Sequence, residues 1–360
     1  MIARALIYCE NQFGKIDGKV ANGLARHSKK YEVLGVIDST KAGLDAGEYL
    51  DDIKNGIPVF STTENAIEKL GFVPEYFIYG IAAQAAYLDH EQREVILAAM
   101  KTGMNFVNGL PEFFTEDEEF IRKAIEYRVH IYDMRKAPKR SFLHIFSGQI
   151  REVTTPVIAV LGTDCAVGKR TTAVSLVEAF KQVGLNPAFI ATGQTGLLQG
   201  AKYGIAVDVL TSGFATGEVE NAILNAYEKE CPDIIFVEGQ GALSHPAYTS
   251  STAIVRGAQP DAIILQHPPK RKNHCDYPDI PMPTLESEIE LIEIFSNSKV
   301  IAITINHEDM TDAELENTIV EYETKYELPT TDVLKFGCDK LVDAISRVFP
   351  ELQDRKPRIC

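Results

Sequence analysis

The stretch Val157-Ile158-Ala159-Val160-Leu161-Gly162-Thr163-Asp164-Cys165-Ala166-Val167-Gly168-Lys169-Arg170-Thr171-Thr172 decides how this chain folds. Residues 157–161 are apolar and largely β-branched, the composition of a strand buried on both faces of a parallel sheet. Gly162 and Gly168 bracket a tight turn, and Lys169 opens a helix. The free N–H groups and positive dipole end of that helix can hold a phosphate. Strand, spacing and Gly-Lys agree on a phosphate-binding loop over a plain glycine turn with a surface lysine. The usual pattern places Ser or Thr directly after the lysine, where its hydroxyl ligates the magnesium of Mg-ATP. Here that position is Arg170. Neither Thr171 nor Thr172 restores the hydroxyl simply, since one or two residues along a helix point about 100° or 200° away. The loop reads as phosphate-binding, and the arginine turns the reading away from ATP turnover.

Around this loop the βα rhythm runs in both directions. Strands are expected at 188–191, 234–237, 262–265 and 300–305, and helices at 169–183, 218–230, 285–295 and 339–349. Upstream, strands at 5–9, 33–38, 57–60, 76–81, 105–108 and 130–132 alternate with helical stretches such as 89–100 and 115–128. That alternation predicts parallel sheets covered on both faces. A chain of 360 residues exceeds one ordinary core, so two domains are expected. The basic, proline-containing stretch Arg135-Lys136-Ala137-Pro138-Lys139-Arg140 reads as an exposed linker, which gives domains 1–145 and 146–360. In the first, Gly14 and Gly18 follow strand one and Asp38 ends strand two. G-x-G-x-x-G is absent, so a dinucleotide site there is weakly supported.

Hydrophobic content of 45% with 24% charged residues is that of a soluble globular protein. A net charge of −15 without a basic stripe argues against a nucleic-acid partner. No apolar run reaches the roughly 20 residues of a membrane span, and the N-terminus does not read as a signal peptide. Six cysteines at 9, 165, 231, 275, 338 and 360, with no CxxC pair, suit reduced thiols in the cytoplasm. No metal site is expected from them.

Several polar groups lie where strands should end. Glu238 closes the strand of Ile234-Ile235-Phe236-Val237-Glu238-Gly239-Gln240-Gly241, placed to face the phosphate loop, and the glycines allow close ligand approach. In Thr192-Gly193-Gln194-Thr195-Gly196 a strand dissolves into a Gly/Thr loop that can form a third wall of the crevice, although an ordinary turn is as good a reading. His245 follows in Ser244-His245-Pro246, and His267 opens His267-Pro268-Pro269-Lys270-Arg271. A lone histidine is more often structural than catalytic, even though its pKa suits acid–base work. Arg256 and Arg271 can fork onto a carboxylate or phosphate, or be solvated surface charge. The long loop 266–283 holds five prolines and is expected to be functional. Cys165, at a helix N-terminus, has the placement of an acyl-accepting nucleophile. No partner base is evident nearby in sequence, and a small residue fitting a tight loop is the favoured reading.

The variant loop Gly-Thr-Asp-x-x-Val-Gly-Lys, with its first glycine one residue further out than usual, resembles that of dethiobiotin synthetase. So does the order strand–acid–Gly-x-Gly at 234–241. Taken with Phe189-Ile190-Ala191-Thr192-Gly193-Gln194-Thr195-Gly196, Val237–Tyr248 and the His267–Arg271 block, residues 162–172 resemble a more specific family. It is the family long known only as a domain of unknown function, whose characterised branch consists of D-glutamate N-acetyltransferases of the DgcN type. The resemblance covers nearly the full length. It implies two three-layer parallel-sheet α/β domains, the first Rossmann-like and the second P-loop NTPase-like. It also implies acetyl transfer from acetyl-CoA to the α-amine of an acidic amino acid, most specifically D-glutamate.

On that reading the loop residues Gly162, Thr163, Asp164, Cys165, Val167, Gly168, Lys169, Arg170, Thr171 and Thr172 hold coenzyme A phosphates without magnesium. Glu238 or His245 takes the amine proton, and Gln194 or backbone N–H groups stabilise the thioester oxyanion. Thr195, Gln240, Arg256 and Arg271 contact the substrate. The alternatives are a Mg-ATP-dependent ligase or kinase resembling dethiobiotin synthetase, and a non-catalytic nucleotide-binding protein. A homo-oligomer acting on a small molecule is expected.

Overall fold

The computed structural model describes residues 3–82 and 87–353. The chain divides into two compact units, residues 1–137 with 194–201, and residues 138–193 with 202–360. No helix among the described residues is long and apolar enough to cross a membrane. Cys9, Cys165, Cys275 and Cys338 are thiols. Cys231 is disulfide-bonded, a departure from the expectation of reduced cysteines.

The first unit is built on strands β1 (Ala3–Tyr8), β2 (Tyr31–Ile37), β3 (Val59–Phe60), β4 (Tyr76–Tyr79), β5 (Asn105–Asn108) and β6 (Ile131–Asp133). They form one parallel sheet in the order β3-β2-β1-β4-β5-β6. This is the doubly wound Rossmann order, with its topological switch between β1 and β4. Strand alternation sends Leu6, Phe77 and Phe106 into one core, and Ala5, Ile7, Ile78 and Val107 into the other. Both faces are therefore covered, as parallel sheets require.

At the switch the chain fills its own crevice. Asp38 stands where a dinucleotide fold presents an acid to ribose. Its carboxylate instead accepts the N–H of Phe13 (3.1 Å) and the N–H and hydroxyl of Thr40 (3.0 and 2.6 Å). Phe13 itself is fully buried.

Residues 194–201, expected in the second domain, belong to the first unit. Gln199 holds them there. Its amide donates to the carbonyls of Gly23 (2.7 Å) and His27 (2.8 Å) at the helix Lys19–Arg26, and its own carbonyl accepts from Lys29 N–H (2.8 Å). Leu198 is buried in the same core.

The second unit centres on β7 (Val157–Gly162), with β8 (Pro187–Ala191), β9 (Tyr203–Gly204), β10 (Ile234–Glu238) and β11 (Ala262–His267). A hairpin of β12 (Asn273–His274) and β13 (Tyr277–Pro281) follows, then β14 (Lys299–Ile305) and β15 (Thr330–Thr331). The main sheet is parallel in the order β15-β14-β11-β7-β10-β8-β9. All six residues of β7 are buried. Ile158 and Val160 pack with Phe180 and Phe236 on one face, and Ala159 and Leu161 with Val255 and Ile263 on the other.

Sequence periodicity missed the helices Ser250–Ala258 and Asp312–Tyr326, and the hairpin inside loop 266–283. The stretch read as an exposed linker continues into a strap held by two buried acids on the helix Ser212–Glu230. Glu218 accepts from His144 N–H (2.5 Å), and Glu220 from the N–H groups of Ser147 (2.6 Å) and Ile150 (3.1 Å). Gly217 lets the strap lie flat, since a Cβ there would stand 2.3 Å from the His144 carbonyl.

Candidate functional site

The phosphate loop emerges from the buried end of β7. Ala166 (φ 51°) and Gly168 (φ 108°) take the left-handed conformation that folds the turn back into the helix Lys169–Gln182. Lys169 is buried and its ammonium donates to the Asp164 carbonyl, closing the loop upon itself. Burial pushes the Lys169 pKa down. Thr163 anchors the loop to the next strand, its N–H to the Gln266 carbonyl (3.1 Å) and its hydroxyl to His267 Nδ1 (2.8 Å). Burial drives His267 down to about 4, so at neutral pH this ring is an uncharged structural partner.

Thr172 is fully buried, and its hydroxyl donates to Gln266 Oε1 (2.6 Å). It braces the helix against β11 and does not face the loop's ligand side. Thr171 takes a contact from the Arg170 guanidinium (3.4 Å). The hydroxyl that magnesium would require after Lys169 is therefore not resupplied by Thr172.

Glu238 ends β10, paired directly with β7. Gly239 brings the strands together, since a Cβ there would stand 2.4 Å from the Val160 carbonyl and 3.1 Å from the Lys169 stem. The Glu238 carboxylate accepts from Thr192 N–H (3.1 Å), and its backbone carbonyl accepts the Thr192 hydroxyl (2.8 Å). Burial raises its pKa to about 7, against the opposing pull of Arg170, the Thr192 and Gly193 N–H groups, and Lys169. Gln240 donates to the Thr192 hydroxyl (3.1 Å), closing the same corner.

A second polar cluster surrounds Asp164. One carboxylate oxygen accepts from His274 Nδ1 (2.7 Å), and the other from Arg271 (2.8 Å) and Cys275 N–H (2.8 Å). Burial opposes the charge, but His274, the Cys275 N–H and Arg271 together hold Asp164 below the ordinary carboxylate range. The hairpin β12–β13 is thus strapped to the phosphate loop through one aspartate. Arg271, expected to contact the substrate, is engaged within the protein. Its guanidinium forks onto Glu308 (2.7 and 2.6 Å) and also donates to Asp164 and the Cys165 carbonyl. Arg256 lies away from these groups. It is exposed over the Phe295 ring (4.8 Å) at the end of a helix that feeds the start of β11.

His245 lies buried on Tyr248 (ring centroids 4.5 Å apart, 17° between planes) and edge-on to His274 (4.5 Å, 69°). Glu288 holds the segment that carries it, accepting from Leu243 N–H (2.6 Å) and the Ser244 hydroxyl (2.5 Å). His245 Nδ1 accepts the N–H groups of Ala247 (3.2 Å) and Tyr248 (3.3 Å), which fixes the ring proton on Nε2. That Nε2–H is buried with no hydrogen-bond partner, 3.7 Å from Asp164. Asp164, His245 and His274 bring their donor atoms within 4.8 Å of one another. His245, however, offers that cluster a proton and not the lone pair a metal ligand must supply. Gln194 and Thr195 open the helix Gln194–Leu198, which is part of the first unit.

The residues that sequence reasoning missed here are His274, Glu308 and Glu288. The unusual length of loop 266–283 did mark the segment that carries His274.

A parallel sheet with a phosphate loop at its central strand and an acid on the adjacent strand, joined to a sheet of Rossmann order, defines a two-domain P-loop α/β protein. The chain belongs to the DUF1611 family. Its P-loop domain model matches residues 144–342, and its Rossmann-like N-terminal model matches residues 39–137. A D-glutamate N-acetyltransferase from Pseudoalteromonas sp. is 31% identical over 298 residues, covering 81% of this chain and 86% of that protein. A second D-glutamate N-acetyltransferase, from Tritonibacter scottomollicae, is 29% identical over 75% of this chain and 81% of its own length. The crystal structure of a DUF1611 family protein from Anabaena variabilis aligns with a TM-score of 0.86 at 29% identity, covering 96% of this chain and 99% of that one. Relatives of this identity and coverage support an acetyltransferase.

Proposed function

We propose that this protein transfers acetyl from acetyl-CoA to the α-amine of an acidic amino acid, D-glutamate first among them. The observation that carries the reading is Glu238, a buried carboxylate beside Lys169 and Arg170 whose pKa of about 7 suits a general base at neutral pH. An ammonium substrate must lose a proton before its nitrogen can attack a thioester, and Glu238 takes it. The loop N–H groups, Lys169 and Arg170 hold coenzyme A phosphates, which bear charge but undergo no reaction. Arginine suits that task where a metal-binding hydroxyl does not, because its fork matches phosphate oxygens directly.

Release of coenzyme A thiol, followed with DTNB in the presence of acetyl-CoA and D-glutamate, tests the proposal. No release with either D- or L-glutamate overturns it. A thermal-shift comparison separates it from Mg-ATP chemistry. A ligand held at 100 times its Kd stabilises the folded state by about 2.7 kcal/mol. Acetyl-CoA is expected to raise the melting temperature, and Mg-ATP to leave it unchanged.

A further inference from the structure

Cys165 lacks a base near it in sequence, but the fold gathers acid–base groups around it. Its neighbour Asp164 grips His274 Nδ1 at 2.7 Å, the carboxylate–imidazole arrangement that fixes a tautomer and leaves Nε2 as the ring's basic nitrogen. Cys275, next to His274, contacts the Cys165 carbonyl through its sulfur (3.7 Å), and Arg271 donates to the same carbonyl (2.8 Å). A Cβ placed on Gly241 would stand 3.3 Å from Cys165 Sγ and 3.6 Å from His245 Cβ, so this glycine lets the thiol and His245 share one corner. Lys169 lies within electrostatic range of the thiol and favours negative charge on sulfur. Independently, His245 Nε2–H is a fully buried donor that no protein acceptor satisfies. A buried donor without an acceptor is costly and calls for an explanation. An oxygen that becomes negative during reaction is one that fits.

We infer that Cys165 is an acetyl-accepting nucleophile, with His274 held by Asp164 as its base and His245 Nε2–H as an oxyanion donor. The inference deepens the acetyl-transfer reading and rests on it. In the first half-reaction the Cys165 proton passes to His274 Nε2 and sulfur attacks the thioester carbonyl. The carbonyl oxygen, negative in the tetrahedral intermediate, takes the His245 N–H and the N–H groups of the loop. The bond from carbon to coenzyme A sulfur then breaks, and His274 returns the proton to the departing thiolate. In the second half the amine, deprotonated by Glu238, attacks the acetyl-cysteine carbonyl. The Cys165 sulfur leaves and takes, through His274, the second proton that the nitrogen sheds on becoming an amide, while Glu238 gives its proton up to solvent. The sum is acetyl-CoA plus the ammonium substrate giving coenzyme A, amide and one proton, with no redox change.

Intact-mass spectrometry of the wild-type protein after incubation with acetyl-CoA alone tests this without any variant. The expected result is a mass increase of one acetyl group, mapped by peptide analysis to Cys165 and discharged on adding D-glutamate. Cys165→Ala is expected to lose both the adduct and turnover. His274→Gln should keep the adduct site but form it more slowly, by about 10²–10⁴-fold. Thiol release with D-glutamate but no adduct on Cys165, together with activity retained in Cys165→Ala, overturns the relay and leaves acetyl transfer standing. Thiol release that stops at one equivalent per site with every acceptor tried, alongside a stable acetyl-Cys165, supports the relay and overturns the choice of acceptor.

Discussion

Glu238→Gln probes the carboxylate on which the functional reading rests, and its effect can be worked out before measurement. Burial lifts the Glu238 pKa from an ordinary 4.5 to about 7. Below pH 4.5 the group is protonated in both folded and unfolded chains and costs nothing. As pH rises towards 7 the unfolded chain releases its proton while the folded protein retains it, so stability falls. Above 7 the loss is complete. At 1.36 kcal/mol per tenfold change in affinity for the proton, it amounts to about 3 kcal/mol. Glutamine does not titrate, and its amide facing the Thr192 or Gly193 N–H adds only a pH-independent cost. The wild-type melting temperature should therefore fall relative to Glu238→Gln between pH 4.5 and 8. The expected change is roughly 6–12 °C, at about 2–4 °C per kcal/mol for a domain of this size. Calorimetry across that range reads it directly. Activity reports the same group, with wild-type kcat/KM rising through an apparent pKa near 7 and the variant about 10²–10⁴-fold slower. Melting curves that stay parallel across the pH range, or a variant of undiminished activity, would refute the placement of a buried base with a raised pKa at this position.

Asp164→Asn removes the anion that Arg271 and the hairpin share, leaving a buried guanidinium with Glu308 alone. A loss of about 3–5 kcal/mol is expected in urea unfolding at pH 7. Because the Asp164 pKa is held low, its stabilisation is present above the unfolded value near 4 and disappears as pH falls through the lower folded value. The gap between wild type and variant should close in acid; a gap that widens there would contradict the pairing. Gly239→Ala sets a methyl against the Val160 carbonyl and should cost about 1–3 kcal/mol, whereas Gly213→Ala meets nothing within 4 Å and should be neutral or stabilising. Equal melting temperatures for these two variants would show that the approach of β10 to β7 is looser than the structure has it.

The sequence made the frame legible because local rules act there without help. A β-branched run, two glycines and Gly-Lys specify strand, turn and helix within 16 residues, and the observed β7 and helix Lys169–Gln182 follow that pattern closely. Glu238 was legible for the same reason, as an acid ending an apolar strand before Gly-x-Gly. Hydrophobic periodicity was weaker where the chain is irregular. Loop 266–283 stood out by length, yet its hairpin is pinned by Asp164, more than a hundred residues earlier, and no local pattern announces that contact.

Arg271 shows the difference most clearly. In sequence it is a free cation beside a histidine and prolines. In the structure Glu308 and Asp164 occupy its fork, so its charge is neutralised before any ligand arrives. Cys165 changes in the opposite sense, from a small residue in a tight turn to a thiol that shares a corner with His245 and whose neighbour Asp164 holds His274. The sequence by itself determined two α/β domains, a phosphate loop, and an arginine where magnesium chemistry needs a hydroxyl, since each of these is written in consecutive residues. Only the tertiary structure decided which polar side chains remain available for chemistry. Hydrogen bonds between distant residues, formed in a buried environment where unpaired charge is costly, engage Thr172, Arg271 and Asp38. The same packing raises the Glu238 pKa to about 7 and leaves His245 Nε2–H without a partner.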